Sequence, residues 1–491
     1  MKLLARIKLA ARFVAQGPQA RYEGATYNPI RSLLPSVVRS AREDITVWDR
    51  FRLIEKSRFF EKNNAIANRL ADLFEQYTVG CEGIQFLPQS SDEAWNARAL
   101  KYWNDWQRFA DLSSRQPFSV LQGIISRGQF FDGEMFVLLT TGSTNKPRIQ
   151  LIEGHRVRNP NNSGDKQDLV DGIRIDDRGR PLGYWVSVND SLSSSEFVFQ
   201  DAENIVHIFE PGRTGQFHGL PMLYPVINDL HDLDDLQTLE MEAAKNAAEV
   251  KEVIETSSGE MQTDDDLIRG TNVGSDGKSR ADYYREVMGA RARVLKNGDK
   301  YHQHGGERPS AATSGYWETL TKKICAGVGI PYEIAFPNSM QGTSMRSVLD
   351  MANAFFRVRS AAFAGQMGRI YEYVIKVGIA NGDLSEAPAD WYLWDYQTPR
   401  SINVDVGRNS AAMVSEWKAG MRTMQGTYAE TGEDWRQALR QKAIEAKFVR
   451  DLAKEFGIDR AEIVLLDPNE ISANAAAANA AADTKGQGGA A

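Results

Sequence analysis

The chain has 491 residues, 42% of them hydrophobic and 25% charged, with a formal net charge of −7 and a pI near 5.6. That length exceeds what one hydrophobic core holds, so several domains or one elongated body are expected. The acidic balance excludes bulk attraction to nucleic acid and leaves only local contacts with it.

Two cysteines, Cys81 and Cys325, are too few for a disulfide framework or a cysteine-built zinc site, and they suit a reducing cytoplasm. No stretch approaches the roughly 18 apolar residues of a membrane-spanning helix. The opening "MKLLARIKLAARFVA" is interrupted by Lys2, Arg6, Lys8 and Arg12, which denies a signal peptide its apolar core and leaves a basic amphipathic arm. Residues 50 to 80 read as helix, with Phe51, Ile54, Phe59 or Phe60, Ile66, Leu70 and Leu73 on one face, before "TVGCEGIQF" breaks into extended chain. "SDEAWNARALKYWNDWQRFA" reads as a second helix capped by Ser90 or Ser91. Between 130 and 210, "GEMFVLLT", "PRIQLIE", "GYWVSV" and "NIVHIFE" are short, β-branched or aromatic, and separated by turn residues. They predict a mainly antiparallel β region without the long crossover helices of a doubly wound sheet.

From Met222 to Glu255 the pattern predicts one long helix, with Leu223, Val226, Ile227, Leu230, Leu233, Leu236 and Leu239 stepping by three or four. Its charges are lopsided: Asp229, Asp232, Asp234, Asp235, Glu240, Glu242, Glu249, Glu252 and Glu255 oppose only Lys245 and Lys251. Residues 257 to 306 are polar, and Asn297-Gly298 between extended runs signals a hairpin, since both turn positions need positive φ. Helical pattern resumes at about 314 with Trp317, Leu320, Ile324 and Val328 and stops at Gly329-Ile330-Pro331. "EIAFPNSMQGTS" then leads into another long helix whose buried side runs from Met345 through Phe356 and Met367 to Val374. After Trp391 the chain is extended, then helical from about Ser410 to Phe456, and the alanine-rich last twenty residues have nothing to bury.

The stretch "FEPGRTGQFHGLPML" (209 to 223) packs Gly212, Gly215 and Gly219 before a helical pattern, as phosphate loops do. It lacks the Gly-Lys-Ser/Thr of such a loop, and Asp229 and Asp232 follow it, so a joint is the better reading; Pro221 fits a helix's first turn. His302 and His304 share a strand face without further ligands in view. Asp132 and Glu134 in "FFDGEMF" read as a turn rather than a catalytic dyad, and no nucleophile elbow occurs. No catalytic residue, metal or cofactor is expected.

The order of segments resembles the lambda-type portal protein family of tailed bacteriophages over about residues 45 to 465. "KSRFFEKNNAIANRLADLFEQYTVGCEGIQF", "GQFFDGEMFVLL", "IQLIEGHRVRNP", "HIFEPGRTGQFHGLPMLYPVINDLHDLDDLQTLEMEAAKNAA" and "ICAGVGIPYEIAF" carry the resemblance in order. It implies an α+β portal fold with a discontinuous wing whose β segments are antiparallel, long stem helices, a small α/β clip and a helical crown. The corresponding boundaries are a basic N-terminal arm at 1–20, wing at 21–220, first stem helix at 221–256 and clip at 257–307. The second stem helix follows at 308–332, then a tunnel-loop region at 333–345, long helix and returning wing at 346–400, crown at 401–471 and a tail at 472–491.

The family's function is to form the ring, normally of twelve subunits, at the head vertex through which double-stranded DNA is packaged and ejected. Partners implied are terminase, the major capsid or scaffolding protein and a head-to-tail adaptor, with assembly in the host cytoplasm, residence in the virion and no membrane. DNA-facing candidates are Asn338, Gln341, Thr343, Ser344 and Arg346, with Lys322 and Lys323 as alternative cations; the same loop also reads as a helix cap formed by Thr343 or Ser344. Acidic stem candidates are Asp229, Asp232, Asp235, Glu240, Glu242 and Glu249, which would repel phosphates if they line the bore. Gly212, Gly215, Gly219 and Pro221 would form the wing–stem hinge, and Asn297 and Gly298 the clip hairpin. Competing readings are a helical scaffold or adaptor, and a phosphate-ester hydrolase using Arg213.

Overall fold

The structure, a computed structural model, describes residues 38–142, 144–160, 163–192, 195–249, 253–255, 293–295, 311–337, 343–402, 413, 415–431 and 435–458. The N-terminal arm, most of the segment expected as clip with its Asn297-Gly298 turn, His302, His304, Asn338, Gln341 and the alanine-rich tail lie outside them.

The helix expected over 50 to 80 is two helices, α1 having opened the described chain at Ala41–Asp44. Helix α2 (Val47–Asn63) and α3 (Ala65–Thr78) are broken at Asn64, whose extended backbone and side chain cap α3 by accepting from the Ala67 N–H at 2.9 Å. Strand β1 (Gln85–Pro88) and helix α4 (Glu93–Gln107) follow. The cap of α4 is Asp92, accepting from the N–H groups of Ala94 and Trp95, and not Ser90 or Ser91. Those serines are engaged elsewhere, with Asn96 and Asp390. Helix α5 (Phe118–Phe131) is not among the elements that the spacing predicts. Its polarity does not follow its burial: Val120 and Ile124 are exposed while Gln122, Ser126 and Gln129 are buried, which blurs the one-sided pattern that marks a surface helix.

Strands β2 (Glu134–Thr141), β3 (Pro147–Glu153) and β8 (Ile205–Phe209) form an antiparallel sheet in the order β3-β2-β8. Between them in sequence, β4 (Leu169–Val170), β5 (Ile173–Ile175), β6 (Pro181–Ser187) and β7 (Phe197–Asp201) make an antiparallel meander. Strand β2 is covered on both faces. Met135, Val137 and Leu139 join the core beneath α4, α5 and the second half of the longest helix, while Phe136 joins Val157, Ile173, Tyr184 and Ile205 against the meander. Alternate residues of one strand thus serve two cores, which is why it reads as continuously apolar.

The long helix α6 spans Ile227–Glu249, shorter at both ends than expected. Residues 222–226 are turns, so Pro221 precedes them rather than occupying the first helical turn, and Val253–Glu255 is strand β9, paired in parallel with β10 (Arg293–Leu295). Helix α7 (Ala311–Val328) packs on α6: Leu223, Val226, Ile227, Leu230 and Leu233 meet Leu320, Ile324, Cys325 and Val328 in one buried cluster. A short helix α8 (Tyr332–Ala335) precedes α9 (Thr343–Ala380). Helix α9 already begins at Thr343, so neither Thr343 nor Ser344 precedes it as a cap. The C-terminal helical stretch is interrupted, giving α10 (Met424–Thr431) and α11 (Trp435–Phe456). Before them, β11 (Trp394–Gln397) returns to pair antiparallel with β1. The architecture is α+β with three antiparallel sheets and one short parallel pair among the described residues.

Candidate functional site: the corner between the sheets and the long helices

The glycine-rich stretch 209 to 223 turns the chain from β8 toward α6, and its last part docks on a buried carboxylate. Glu134, at the start of β2, is fully buried. Its oxygens receive the Gly219 N–H at 3.0 Å and Arg50 Nη1 at 2.9 Å, and His207 Nε2 and His218 Nδ1 each lie 2.9 Å away. Arg50, from α2, also donates to Asp171 at 2.6 Å and to the carbonyls of Gly154 and Val157 at 3.1 and 3.0 Å. His218 Nε2 stands 2.9 Å from the Asp171 carbonyl oxygen. One helix, two strands, two turns and the corner segment therefore meet at one charged hub. Beside it, Asp132 holds Arg58 through two hydrogen bonds of 2.7 and 2.5 Å.

The electrostatics keep the hub ionised. Burial alone would raise Glu134, but His218, His207 and Arg50 outweigh it and hold the carboxyl well below its usual range. Burial likewise opposes the charge on Arg50, yet Asp171 and Glu134 leave its guanidinium held more firmly than in water. His207 is lowered by burial against the opposing pull of Glu134, its ring stacked between Phe136 at 4.1 Å and Phe209 at 4.2 Å. Asp132 is raised by burial despite Arg58. At the rim, the hydrogen bond from His155 and the charge of Arg58 bring Glu153 down to about 2.

Glu134, His207 and His218 place three ligand-type atoms within 4.8 Å of one another, the geometry in which a metal ion could be held. The carboxylate already faces four donor groups, one of them a guanidinium, so a second cation would be repelled and would find no open lone pair. The arrangement fits a closed ion-pair hub. A carboxylate this saturated and this acidic is no general base, and Asp132, locked to Arg58, offers none either.

The backbone closes the corner as tightly. Gly133 has φ +88, and a Cβ there would lie 2.2 Å from the Leu220 carbonyl carbon; a Cβ on Gly219 would lie 1.9 Å from the Gly133 carbonyl oxygen. Gly219 and Pro221 are buried in this packing, whereas Gly212 and Gly215 sit in the exposed turn before it. Arg213, the cation of the phosphate-loop alternative, is paired with Asp44 and donates to the Arg39 carbonyl at 2.8 Å.

Acid is expected to loosen the hub. His207 titrates below 6.5 in the fold, so between that lowered value and 6.5 the unfolded chain binds more protons and stability falls as pH falls. Glu134 contributes fully above 4.5 and loses its contribution as pH drops below that toward its depressed folded value. Both effects share a sign. Thermal unfolding midpoints should decline steadily from neutral pH into the acid range, and a midpoint that is flat or rises there would contradict this account.

The long helices hold the remaining candidates. Asp229 and Lys323, separate candidates in the sequence, bind each other across α6 and α7 at 2.6 Å. Lys322 pairs with Glu318 at 2.8 Å and lies over the Tyr332 ring. Asp235 is 3.2 Å from His231, and Asp234 accepts from the Asn64 side chain at 2.9 Å, tying the α2–α3 break to α6. Asp232, Asp235 and Glu242 are exposed on α6, Asp232 near Lys323 of α7; Glu240 is half-buried, and Glu249 ends the helix. Ser344 and Arg346 are exposed in the first turn of α9 beside Thr343. The thiol of Cys325, pushed up to about 12 by burial, belongs to the core between the two helices and is not a nucleophile. Sequence reasoning misses the hub because Arg50, Glu134, Asp171, His207 and His218 are scattered through the chain.

Known proteins match this chain over most of its length. The family model described as phage portal protein, lambda family, matches residues 32–359. Portal protein B of Escherichia phage lambda is 23% identical over 439 residues, covering 78% of this chain and 81% of the relative. The portal protein of Escherichia phage N15 is 23% identical over 435 residues, covering 78% and 82%. Among solved structures, the neck of an empty gene transfer agent particle is similar with a TM-score of 0.47 at 11% identity, covering 76% of this chain and 89% of that one. A chain of the native gene transfer agent virion has a TM-score of 0.45 at 13% identity, covering 78% and 92%. The family match runs from the described N-terminal helices through the hub, the corner and both packed long helices: the chain belongs to the lambda family of phage portal proteins.

Proposed function

We propose that copies of this phage portal protein close into a ring, normally of twelve, at the head vertex, and that double-stranded DNA enters and leaves through its bore. In this reading α6 and α7 are the stem, the sheets with α2 to α5 and the second half of α9 are the wing, and the segment carrying β9 and β10 is the clip. The helices α10 and α11 belong to the crown. Terminase and later the head-to-tail adaptor dock at the clip, and capsid or scaffolding protein surrounds the wing. The chain itself carries out no hydrolysis.

The observation that carries the reading is the lambda-family match across both packed helices. The charge of α6 supports it. Asp232, Asp235 and Glu242 are exposed on α6, and carboxylates repeated around a bore would repel phosphates and keep a duplex centred instead of gripped. Ser344 and Arg346, with Asn338, Gln341 and Thr343, are the groups proposed to touch phosphate oxygens briefly and without regard to sequence.

The purified chain is expected to form a symmetric particle near twelve times 54.8 kDa with a central hole. Native mass spectrometry and top views by electron microscopy read both properties. Monomers under every associating condition, or a hole too narrow for a B-form duplex, would end the proposal. Nucleotide turnover that depends on Arg213 would instead favour an enzyme.

A further inference from the structure

None of the residues of α11 is buried. Its half-buried residues, among them Trp435, Leu439, Ala446, Val449 and Ala453, lie along one side, and the other residues of the helix are exposed. Its sequence holds six cations against three anions in a chain whose net charge is −7. Arg436, Arg440, Lys447, Arg450 and Lys454 are spaced so that, at 3.6 residues per turn, they gather within about 80° of the helix circumference. All five are exposed. Glu445 and Glu455 fall elsewhere on the wheel, and Asp451 borders the row. At 1.5 Å per residue the row is about 27 Å long.

We propose that this row is a sequence-blind binding surface for the backbone of duplex DNA. The inference rests on the portal reading and adds to it a site in the C-terminal helices, apart from the stem and the α9 loop. A duplex offers about one negative charge per 1.7 Å of axis, and lysines and arginines bind it by releasing condensed counterions. A straight run of cations with no acid inside its arc suits that target. An acidic protein partner suits it less, because protein interfaces are built around a desolvated apolar centre. The only apolar residue inside this arc is Ala443; the exposed Ile444, Phe448 and Phe456 lie outside it, the nearest being Ile444. The exposed acids of α6 would repel the same polymer that α11 attracts, so the two helices would act on it in opposite senses.

The test compares the assembled chain with a fourfold variant, Arg440→Gln, Lys447→Gln, Arg450→Gln and Lys454→Gln; Arg436 is left in place because Glu93 lies 3.7 Å from it. Anisotropy of a labelled random-sequence duplex is measured over a series of salt concentrations. The intact assembly is expected to bind with an affinity that falls steeply with salt. The variant should bind at least about tenfold more weakly at low salt, with a salt slope shallower by about 0.9 for each phosphate no longer neutralised. Equal affinities and slopes would overturn the proposal, as would competition by polyglutamate stronger than by unlabelled duplex. Native mass spectrometry of both proteins keeps two failures apart: no ring from the intact chain defeats the portal reading, whereas rings from both with unchanged DNA binding defeat only this surface. Should the fourfold variant alone lose its ring, Lys447→Gln with Lys454→Gln is measured instead, and about half the slope change is expected.

Discussion

Arg50→Met is expected to destabilise the folded chain by about 3–5 kcal/mol, the cost of removing one partner from a buried ion pair and leaving the other uncompensated. The loss is large because Arg50 answers two carboxylates and two carbonyls at once, and its own side chain is 1% exposed. Methionine fills much of the volume but leaves Glu134 with fewer donors and Asp171 with a buried charge. Lysine would not rescue it, since a point charge cannot reproduce the forked geometry that reaches Glu134, Asp171, Gly154 and Val157 together. Arg213→Met is the control: its pair with Asp44 is half exposed and should count for about 1 kcal/mol or less. Urea unfolding of the three proteins reads the difference. If Arg50→Met and Arg213→Met shift the midpoint equally, the hub is not what holds the corner.

Gly133→Ala and Gly219→Ala are expected to cost about 3 kcal/mol or more each, at or beyond the upper end of ordinary overpacking. At Gly133 the added methyl meets backbone at 2.2 Å and the residue is also held at φ +88, so strain and clash add. At Gly219 the obstacle is the Gly133 carbonyl oxygen at 1.9 Å, which cannot swing aside as a side-chain tip would. Gly215→Ala, whose Cβ meets nothing within 4 Å, should cost only what its φ of +80 imposes. The contrast tests whether the proposed wing–stem hinge is a flexible joint or a locked corner. Equal tolerance at Gly219 and Gly215 would favour the joint; reduced soluble yield and a lower unfolding midpoint for Gly219→Ala alone would favour the lock.

The elements most legible in the sequence are those whose apolar pattern follows their burial. The stepped apolar residues of α6 and α9 show their type because periodicity records one-sided burial, whereas β2, covered on both faces, shows as a short continuous apolar run bounded by turn residues. In α5 the exposed Val120 and Ile124 and the buried Gln122, Ser126 and Gln129 blur that record. The break at Asn64 is hidden because a single extended residue hardly disturbs a helical wheel, although an asparagine before Ala-Ile-Ala is a fair capping signal. One local signal is there to be used: Asp171-Gly172, with φ of +42 and +88, is the two-residue turn joining β4 and β5. The candidate site is legible only as separate parts. The corner reads as a bend and Asp132-Gly133-Glu134 as a turn, but no spacing rule connects Arg50 to His218. Charges brought together by tertiary structure leave no period behind.

Strand β1 finds its partner β11 only when Gln397 faces Gln85, and the helices and the segment between them are inserted before that pairing can form. During synthesis at about 5–20 residues per second, the N-terminal half must therefore wait on the order of tens of seconds on the ribosome for the strand that completes it. For most of that interval Phe86, Trp103 and the apolar face of the central sheet also lack the α9 residues that cover them. Truncations ending before Phe363 should consequently behave as chaperone clients, and the timing of translation becomes part of how this molecule reaches its native state.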